Sequence, residues 1–232
     1  MKIGKIVRIV CLSAILGVFA YGIYAANRKA PLSEKVWDER TTVGSMDAEN
    51  YFIVYTDLVC PYCIAFENAI LENEEEFKEY IEKNDVLVEV KMTDFLYEFG
   101  EAKAINSRYS AVAAYCAKNE DKFWDYYAHA VKTIWKDYFK DNGKAGFTGL
   151  NSNNKDYWIA LGKEVGLGDS FETCVKNNET IDEVISNTGK VAEAINGGMP
   201  SFKFNKYSFS GFDLSWGWEY VQYYFDKGLE NK

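Results

Sequence analysis

The sequence contains few prolines, a single histidine and no cluster of positive charge. Of its 232 residues, three are proline (Pro31, Pro61 and Pro200) and one is histidine, and the formal net charge is −9. The lysines and arginines form no basic stripe of the kind that nucleic-acid-binding surfaces need, so we expect no nucleic-acid partner. Hydrophobic residues make up 48% of the chain, which excludes a disordered protein and supplies a core.

The N-terminus has the pattern of an exported protein. Three cations precede residue 9, and residues 9–26 form an uncharged apolar run. At about 1.5 Å per residue this run reaches roughly 27 Å, enough to cross a hydrocarbon core. We predict an uncleaved signal anchor over residues 1–29, in which Cys11 is an ordinary membrane residue. The alternative is a cleaved signal peptide, although its apolar core is usually shorter.

Either alternative places residues 30–232 on the far side of the membrane, because the cations before the apolar run stay inside. We therefore expect a single-pass protein of the cell membrane with an extracytoplasmic domain, or a secreted or periplasmic protein if the segment is cleaved. Residues 30–45 are interpreted as a tether. The far side is also where disulfides form and persist.

A pair of cysteines follows a predicted buried strand. Residues 51–56 are continuously apolar and β-favouring, whereas residues 63–71 carry apolar side chains at helical spacing. Cys60 and Cys63 therefore lie where a strand ends and a helix begins. Pro61 suits the first turn of that helix, where a missing N–H costs nothing.

This position favours thiol–disulfide exchange. The first turn of a helix offers free N–H groups and partial positive charge, which stabilise a thiolate, the form of cysteine that attacks a disulfide. Cys63 lies one turn further on the same face. We assign Cys60 as the nucleophile and Cys63 as the resolving cysteine, with Pro61 and Tyr62 tuning the pair.

Two other interpretations of the pair are weaker. A structural zinc site needs four ligands, and Cys116, Cys174 and His129 include no second close pair, so we expect no metal. A structural disulfide between residues three apart closes a small loop and adds little stability. His129 is expected to be a hydrogen-bonded helix residue rather than a proton donor.

A second candidate element lies near the C-terminus. Residues 197–202 place Pro200 after two glycines and before a short β-like run. A lone proline in this setting is a candidate for a cis peptide bond. An ordinary trans turn is the alternative.

With the two elements in view, the sequence resembles the DsbA-like family of thioredoxin-fold oxidoreductases, and most closely its membrane-tethered Gram-positive type. Asp57, the Cys60–Cys63 motif and Met199–Pro200 carry the resemblance, which extends over roughly residues 45–230. It implies an α/β fold: a thioredoxin-like domain of residues 46–93 and 189–232, with an all-helical insertion at 94–188. It also implies that Met199 and Pro200 bind the substrate chain.

The chain departs from the family pattern at two positions. Family members carry a buried glutamate six residues before the first cysteine, where this chain has Val54. Asp57 is a possible substitute, although its position at the start of a helix favours a structural role. The residue before the proline is usually Thr or Val, and here it is Met199.

The predicted insertion contains two further cysteines, Cys116 and Cys174, each on the inward side of a predicted helix. An even pair in an exported protein suggests a structural disulfide, and some relatives bridge the corresponding helices. Two buried free cysteines are the alternative.

These observations predict an enzyme that donates its Cys60–Cys63 disulfide to unfolded or newly exported proteins. The family relation implies a quinone-linked DsbB-like or VKOR-like membrane protein as its reoxidising partner. No cofactor is required, and we expect a monomer. The alternatives are a reductase or isomerase of the same fold and a chaperone-like binding module.

Overall fold

The computed structural model describes residues 38–100, 103–177, 181–194 and 198–231. The predicted anchor at 1–29, with Cys11, and the first half of the predicted tether, residues 30–37, lie outside the described residues. The tether prediction is wrong for residues 42–43, which form a strand of the sheet. Among the helices of the described segments, none is both long enough and apolar enough to cross a membrane.

A five-stranded sheet forms the centre of the fold. The order across the sheet is β1, β3, β2, β4, β5. β2 and β3 run parallel, whereas the other neighbouring pairs are antiparallel. The strands are β1 (Thr42–Val43), β2 (Asn50–Thr56), β3 (Val86–Met92), β4 (Ser201–Phe204) and β5 (Tyr207–Ser210).

The central position of β2 explains its sequence. Every residue of β2 except Tyr51 is buried, as expected for a strand covered on both faces. Tyr55 pairs with Ser201 in the antiparallel ladder between β2 and β4. The end of β2 and the start of β4 therefore meet at the same edge of the sheet.

Two helices connect β2 to β3. α1 (Pro61–Glu72) begins with a proline in its first turn, as predicted, and α2 (Glu74–Lys83) begins with three glutamates, which suit the positive end of a helix dipole. α1 lies between two hydrophobic cores. Its Ile64 packs into the core of the helical region, whereas its Phe66 packs into the core of the sheet.

Phenylalanine rings fill the sheet core. The centroids of Phe52 and Phe225 are 4.3 Å apart, and those of Phe66 and Phe202 are 4.6 Å apart. Aromatic contacts of this kind add to the stabilisation from burial alone. Phe225 belongs to the C-terminal helix α10 (Trp218–Glu230), which covers the sheet.

Ser215 is a residue type that favours helix caps, but it does not cap α10. Gly217 occupies the N-cap position, and no side chain caps the helix. The Asp213 carboxylate instead accepts hydrogen bonds from the backbone N–H and the hydroxyl of Ser215, at 2.9 Å and 2.7 Å. Ser215 is therefore held in the preceding turn.

Helices occupy the sequence between β3 and β4. The glycines at 166 and 168 lie between two of these helices, whereas the glycine- and asparagine-rich residues 143–154, whose composition favours a break, contain the short helix Gly146–Asn151. A π-helical turn, Trp135–Phe139, continues α5. The helices are α3 (Phe95–Glu98), α4 (Ile105–Asn119), α5 (Phe123–Ile134), α6 (Gly146–Asn151), α7 (Lys155–Glu164), α8 (Asp169–Lys176) and α9 (Ile181–Ala194).

A disulfide joins two of these helices, as the sequence suggested. Cys116 of α4 is bonded to Cys174 of α8, with Cα atoms 5.8 Å apart. Cys116 is buried against the apolar side chains of the helical core. The bridge therefore ties together two helices that the chain separates by 58 residues.

Candidate active site

Cys60 and Cys63 lie at the junction of β2 and α1. Cys60 is the residue immediately before α1, and Cys63 lies in its first turn. The turn before the helix is closed by a 2.9 Å hydrogen bond from the Cys60 N–H to the Asp57 carbonyl oxygen. Both thiols are free in the structure, which therefore represents the reduced pair.

The surroundings of the two sulfurs differ. Cys60 is 4% exposed and lines an open cavity of about 550 Å³, whereas Cys63 is 0% exposed and does not line it. Cys60 is nevertheless almost fully buried, because residues around the cavity surround its side chain. These residues are Pro61, Tyr62, Phe95, Leu96, Phe147, Gly198, Met199, Ser210, Gly211 and Phe212.

The loop before β4 faces Cys60. The peptide bond between Met199 and Pro200 is cis, and the Met199 carbonyl oxygen lies 3.9 Å from the Cys60 sulfur. The Ser201 hydroxyl donates a 2.5 Å hydrogen bond to the Gly198 carbonyl oxygen within this loop. The structure thus brings together all six residues that the sequence placed at the site, from the motif and from the proline loop.

A cation from the helical region stands beside the motif. The Lys144 Nζ lies 5.0 Å from the centroid of the Tyr62 ring, in cation–π contact. The sequence gives no sign of this contact, since Lys144 lies 82 positions from Tyr62 along the chain.

Burial keeps Cys63 protonated. Removal from solvent raises the pKa of the Cys63 thiol well above its ordinary value, and a hydrogen bond with Cys60 and the charges of Cys60 and Asp57 raise it further. Cys63 therefore remains a thiol at neutral pH in the reduced protein, as expected for a resolving cysteine that acts second.

Asp57 is a fully buried carboxylic acid at this junction. Its oxygens accept hydrogen bonds from the backbone N–H groups of Val59 and Leu96, both at 2.9 Å, and from the Ser107 hydroxyl at 2.6 Å. Burial raises its pKa to about 6, and these hydrogen bonds partly offset that effect. Asp57 thus has the structural role that its position favoured, and its charge also acts on Cys63.

A second buried acid, Glu67, was missed in the sequence. It lies four residues after Cys63 and is 4% exposed, and burial raises its pKa to about 7. Hydrogen-bonding groups of Tyr127 and Thr56 partly lower that pKa. The sequence does contain a sign of this buried acid, because a single glutamate interrupts an otherwise apolar helical face one turn after Cys63.

The remaining candidates lie elsewhere. The Cys116–Cys174 bridge belongs to the helical region, and the His129 Nε2 contacts Glu164 at 2.7 Å as an ordinary helix residue. Within the described segments, no three His, Cys, Asp or Glu side chains are grouped as metal ligands.

Comparison with known proteins identifies the family. A family model described as thioredoxin matches residues 37–214, which is more than half of the chain. The chain therefore belongs to the thioredoxin family. No curated protein matches it.

Solved structures share the fold at low sequence identity. They include a thioredoxin-like oxidoreductase from Silicibacter pomeroyi (19% identity, 88% of this chain and 98% of that chain, TM-score 0.54). The disulfide bond oxidoreductase DsbG from Mycobacterium tuberculosis, in its reduced form, is 18% identical over 84% of this chain and 83% of that chain (TM-score 0.55). The thiol-disulfide exchange protein α-DsbA2 from Wolbachia pipientis is 17% identical over 84% and 91% (TM-score 0.53). A thioredoxin-like fold that carries inserted helices is thus established for this chain.

Proposed function

We propose that the protein is an extracytoplasmic thiol–disulfide oxidoreductase that introduces disulfide bonds into exported proteins. One observation carries this proposal. The Cys60 sulfur faces an open cavity beside the cis-proline loop, while its partner Cys63 is buried behind it. The DsbA and DsbG proteins that share the fold support the same reaction class.

The reaction begins with the oxidised pair. A substrate thiolate attacks the Cys60 sulfur, the Cys60–Cys63 bond breaks, and Cys63 leaves as a thiolate that takes up a proton. The high pKa of buried Cys63 favours that protonation and so removes the competing reverse attack. A second substrate thiolate then attacks the substrate sulfur of the mixed disulfide, and Cys60 leaves. Two electrons pass from the substrate dithiol to the enzyme.

The cavity beside Cys60 suits an unfolded protein chain as substrate. Aromatic and aliphatic side chains, among them Phe95, Phe147 and Phe212, offer apolar contacts without a narrow specificity pocket. The backbone around Met199 and Pro200 lies beside the sulfur, where an extended substrate segment would pair with it. Substrate choice would then depend on exposed apolar segments rather than on one particular sequence.

The cellular setting is part of the proposal. The apolar run at residues 9–26 supports a membrane tether, with the catalytic domain outside the cytoplasm. A quinone-linked DsbB-like or VKOR-like membrane protein would accept the electrons and restore the disulfide, and the enzyme would act as a monomer. No bound cofactor takes part in these steps.

The reduction potential of the pair tests the direction of the reaction. The protein is equilibrated with defined ratios of reduced and oxidised glutathione, and the fraction of the Cys60–Cys63 disulfide is measured. Strong oxidants of this kind lie near about −120 mV and thioredoxin-like reductants near about −270 mV. We expect a value towards the first; a value towards the second would make the protein a reductase.

A further inference from the structure

A second cavity lies apart from the Cys60 cavity and shares no lining residue with it. Its volume is about 710 Å³, within the range of small-molecule sites. α1, α2, α5 and the first three strands of the sheet provide its walls. Most of these walls are apolar, and Val54, Ile70, Phe77 and Val88 are examples.

Glu67 is a buried acidic group at the wall of this cavity. It is 4% exposed, and its Oε1 atom has no hydrogen-bonding partner among the residues that the structure describes. The hydroxyls of Thr56 and Tyr127 lie near enough to influence Glu67, but their oxygens are also without a well-aligned partner. Three buried polar atoms therefore lie close together, but none of them has a well-aligned hydrogen bond, which is costly in a folded protein.

A counter-ion for Glu67 is missing within the described part of the chain. Lys78 lines the same cavity, but its Nζ is 2.6 Å from the carboxylate of Glu74, another lining residue. Asp125 at the cavity is likewise paired, with Lys122 at 2.7 Å. The charged residues around the cavity thus neutralise one another, whereas Glu67 does not have a cation beside it.

These features define the ligand by its chemistry. An anion would be repelled by Glu67, and a purely apolar molecule would leave Oε1 unpaired. An ammonium group supplies both a hydrogen-bond donor and the missing positive charge, and charge-assisted hydrogen bonds are the stronger kind. The remainder of the cavity favours a hydrocarbon body.

We propose that this cavity is a binding site for a small apolar amine, whose ammonium group pairs with Glu67 and whose body contacts the apolar walls. Tyr127 offers its hydroxyl oxygen as a second acceptor. This site needs no thiol chemistry, so the inference goes beyond the proposed function and stands or falls without it.

The test is calorimetric titration of the full-length protein with three probes of similar shape. These are 2-phenylethylamine, the neutral 2-phenylethanol and the anionic 3-phenylpropanoate, at about pH 8, where Glu67 is largely ionised. We expect the amine to bind about tenfold or more tightly than the alcohol, and the anion to bind least well. Equal affinities for the amine and the alcohol would overturn the proposal.

Two variants locate the binding. Glu67→Gln keeps the shape of the side chain and removes its charge, so we expect the preference for the amine over the alcohol to disappear. Ala128→Phe places a ring in the cavity and should abolish binding of both probes, and Val165→Phe serves if the first variant does not fold. The control Glu230→Gln removes a carboxylate that pairs with Lys227 away from the cavity, and it should leave the preference unchanged.

Each outcome decides the question. If the amine still binds to both Glu67→Gln and the cavity-filling variant, it is an adventitious additive only, and the proposed site is wrong. Absence of measurable heat with the amine refutes it as well. Circular dichroism of every variant shows that it is folded before its titration is interpreted.

Discussion

Cys60 and Cys63 stand three positions apart at the start of one helix, whereas Cys116 and Cys174 are 58 positions apart and join two helices. The first pair is free, and one of its sulfurs lines an open cavity. The second pair is bonded within the helical region. Cysteine is thus suited to reaction in the first pair and to structural cross-linking in the second. The difference arises from the length of the loop that each disulfide closes and from whether a sulfur lines an open cavity. A short loop gains little stability from closure, so its disulfide can open and close in a reaction.

The largest effect on activity is expected for Cys60→Ser, which tests whether the first pair is the reactive one. We expect catalysed oxidation of a reduced two-cysteine peptide to fall to the uncatalysed rate, because the atom attacked by the substrate is gone. Cys63→Ser is the matched variant; it should accumulate mixed disulfides, since Cys60 remains but closure is lost. Full activity on unfolded clients in Cys60→Ser would mean a chaperone-like module rather than an enzyme.

For the second pair, Cys116 and Cys174, we expect substitution to reduce stability and to leave the exchange reaction intact. The double variant Cys116→Ala/Cys174→Ala should lose about 4 kcal/mol of unfolding free energy, because the unfolded chain regains the entropy of a long loop. Urea denaturation without reductant measures this loss. Exchange through Cys60 should persist at 25 °C wherever the variant is folded. An equal loss of exchange in the folded variant would show that the two pairs are not separate in function.

The folding stability of the protein should also depend on pH, because of the buried acid Glu67. Its folded pKa of about 7 lies above its ordinary value of 4.5, so the folded state holds the proton more tightly than the unfolded state. The stability from this proton is fully present below about pH 4.5 and is lost as pH rises through about 7, which amounts to about 3 kcal/mol.

The measurement is urea denaturation of the wild type and Glu67→Gln at several values of pH. The wild type should lose stability relative to the variant as pH rises over that window. Glu74→Gln is the control. Glu74 is exposed, and its pKa is lowered by Lys78, so the wild type should not lose stability relative to Glu74→Gln over the same window. Parallel curves for the wild type and Glu67→Gln would argue against a buried acid at this position.

The smallest effect is expected for Asp57→Asn. The amide cannot accept hydrogen bonds at both of its heavy atoms, so one donor among Val59, Leu96 and Ser107 is left unpaired. That should cost about 1–3 kcal/mol of stability. Loss of the negative charge should also lower the pKa of Cys63, measured by titration of the thiols. An unchanged or raised thiol pKa would contradict the electrostatic contact.

Local patterns predicted the elements that carry the reaction. The apolar run of β2, the proline in the first turn of α1 and the glycines before Pro200 each mark a structure through short-range rules. The burial of Cys60 and the proximity of Lys144 to Tyr62 were not predictable in this way. Both depend on residues from the helical region that the fold brings together over long distances in sequence.

The start of α10 shows a different limit. Ser215 is a suitable cap in composition, but Asp213 two residues earlier competes for its N–H and hydroxyl. Glu67 was likewise visible as a charge on an apolar helix face, yet its burial depends on Tyr127 of α5, 60 positions away. Competition from a neighbouring side chain decides the first position, and packing against a residue distant in sequence decides the second. Hydrophobic periodicity gives no information on either effect.

The ladder between β2 and β4 has a further consequence. It holds the cysteine motif and the proline loop together through four paired positions, although residues 57–200 separate the two strands in the chain. Backbone pairing within the sheet, and not the connecting helices, therefore sets the register between the reacting sulfur and the proline loop. Side chains of the helical region, such as Phe95 and Phe147, surround a centre that the strands already hold in place.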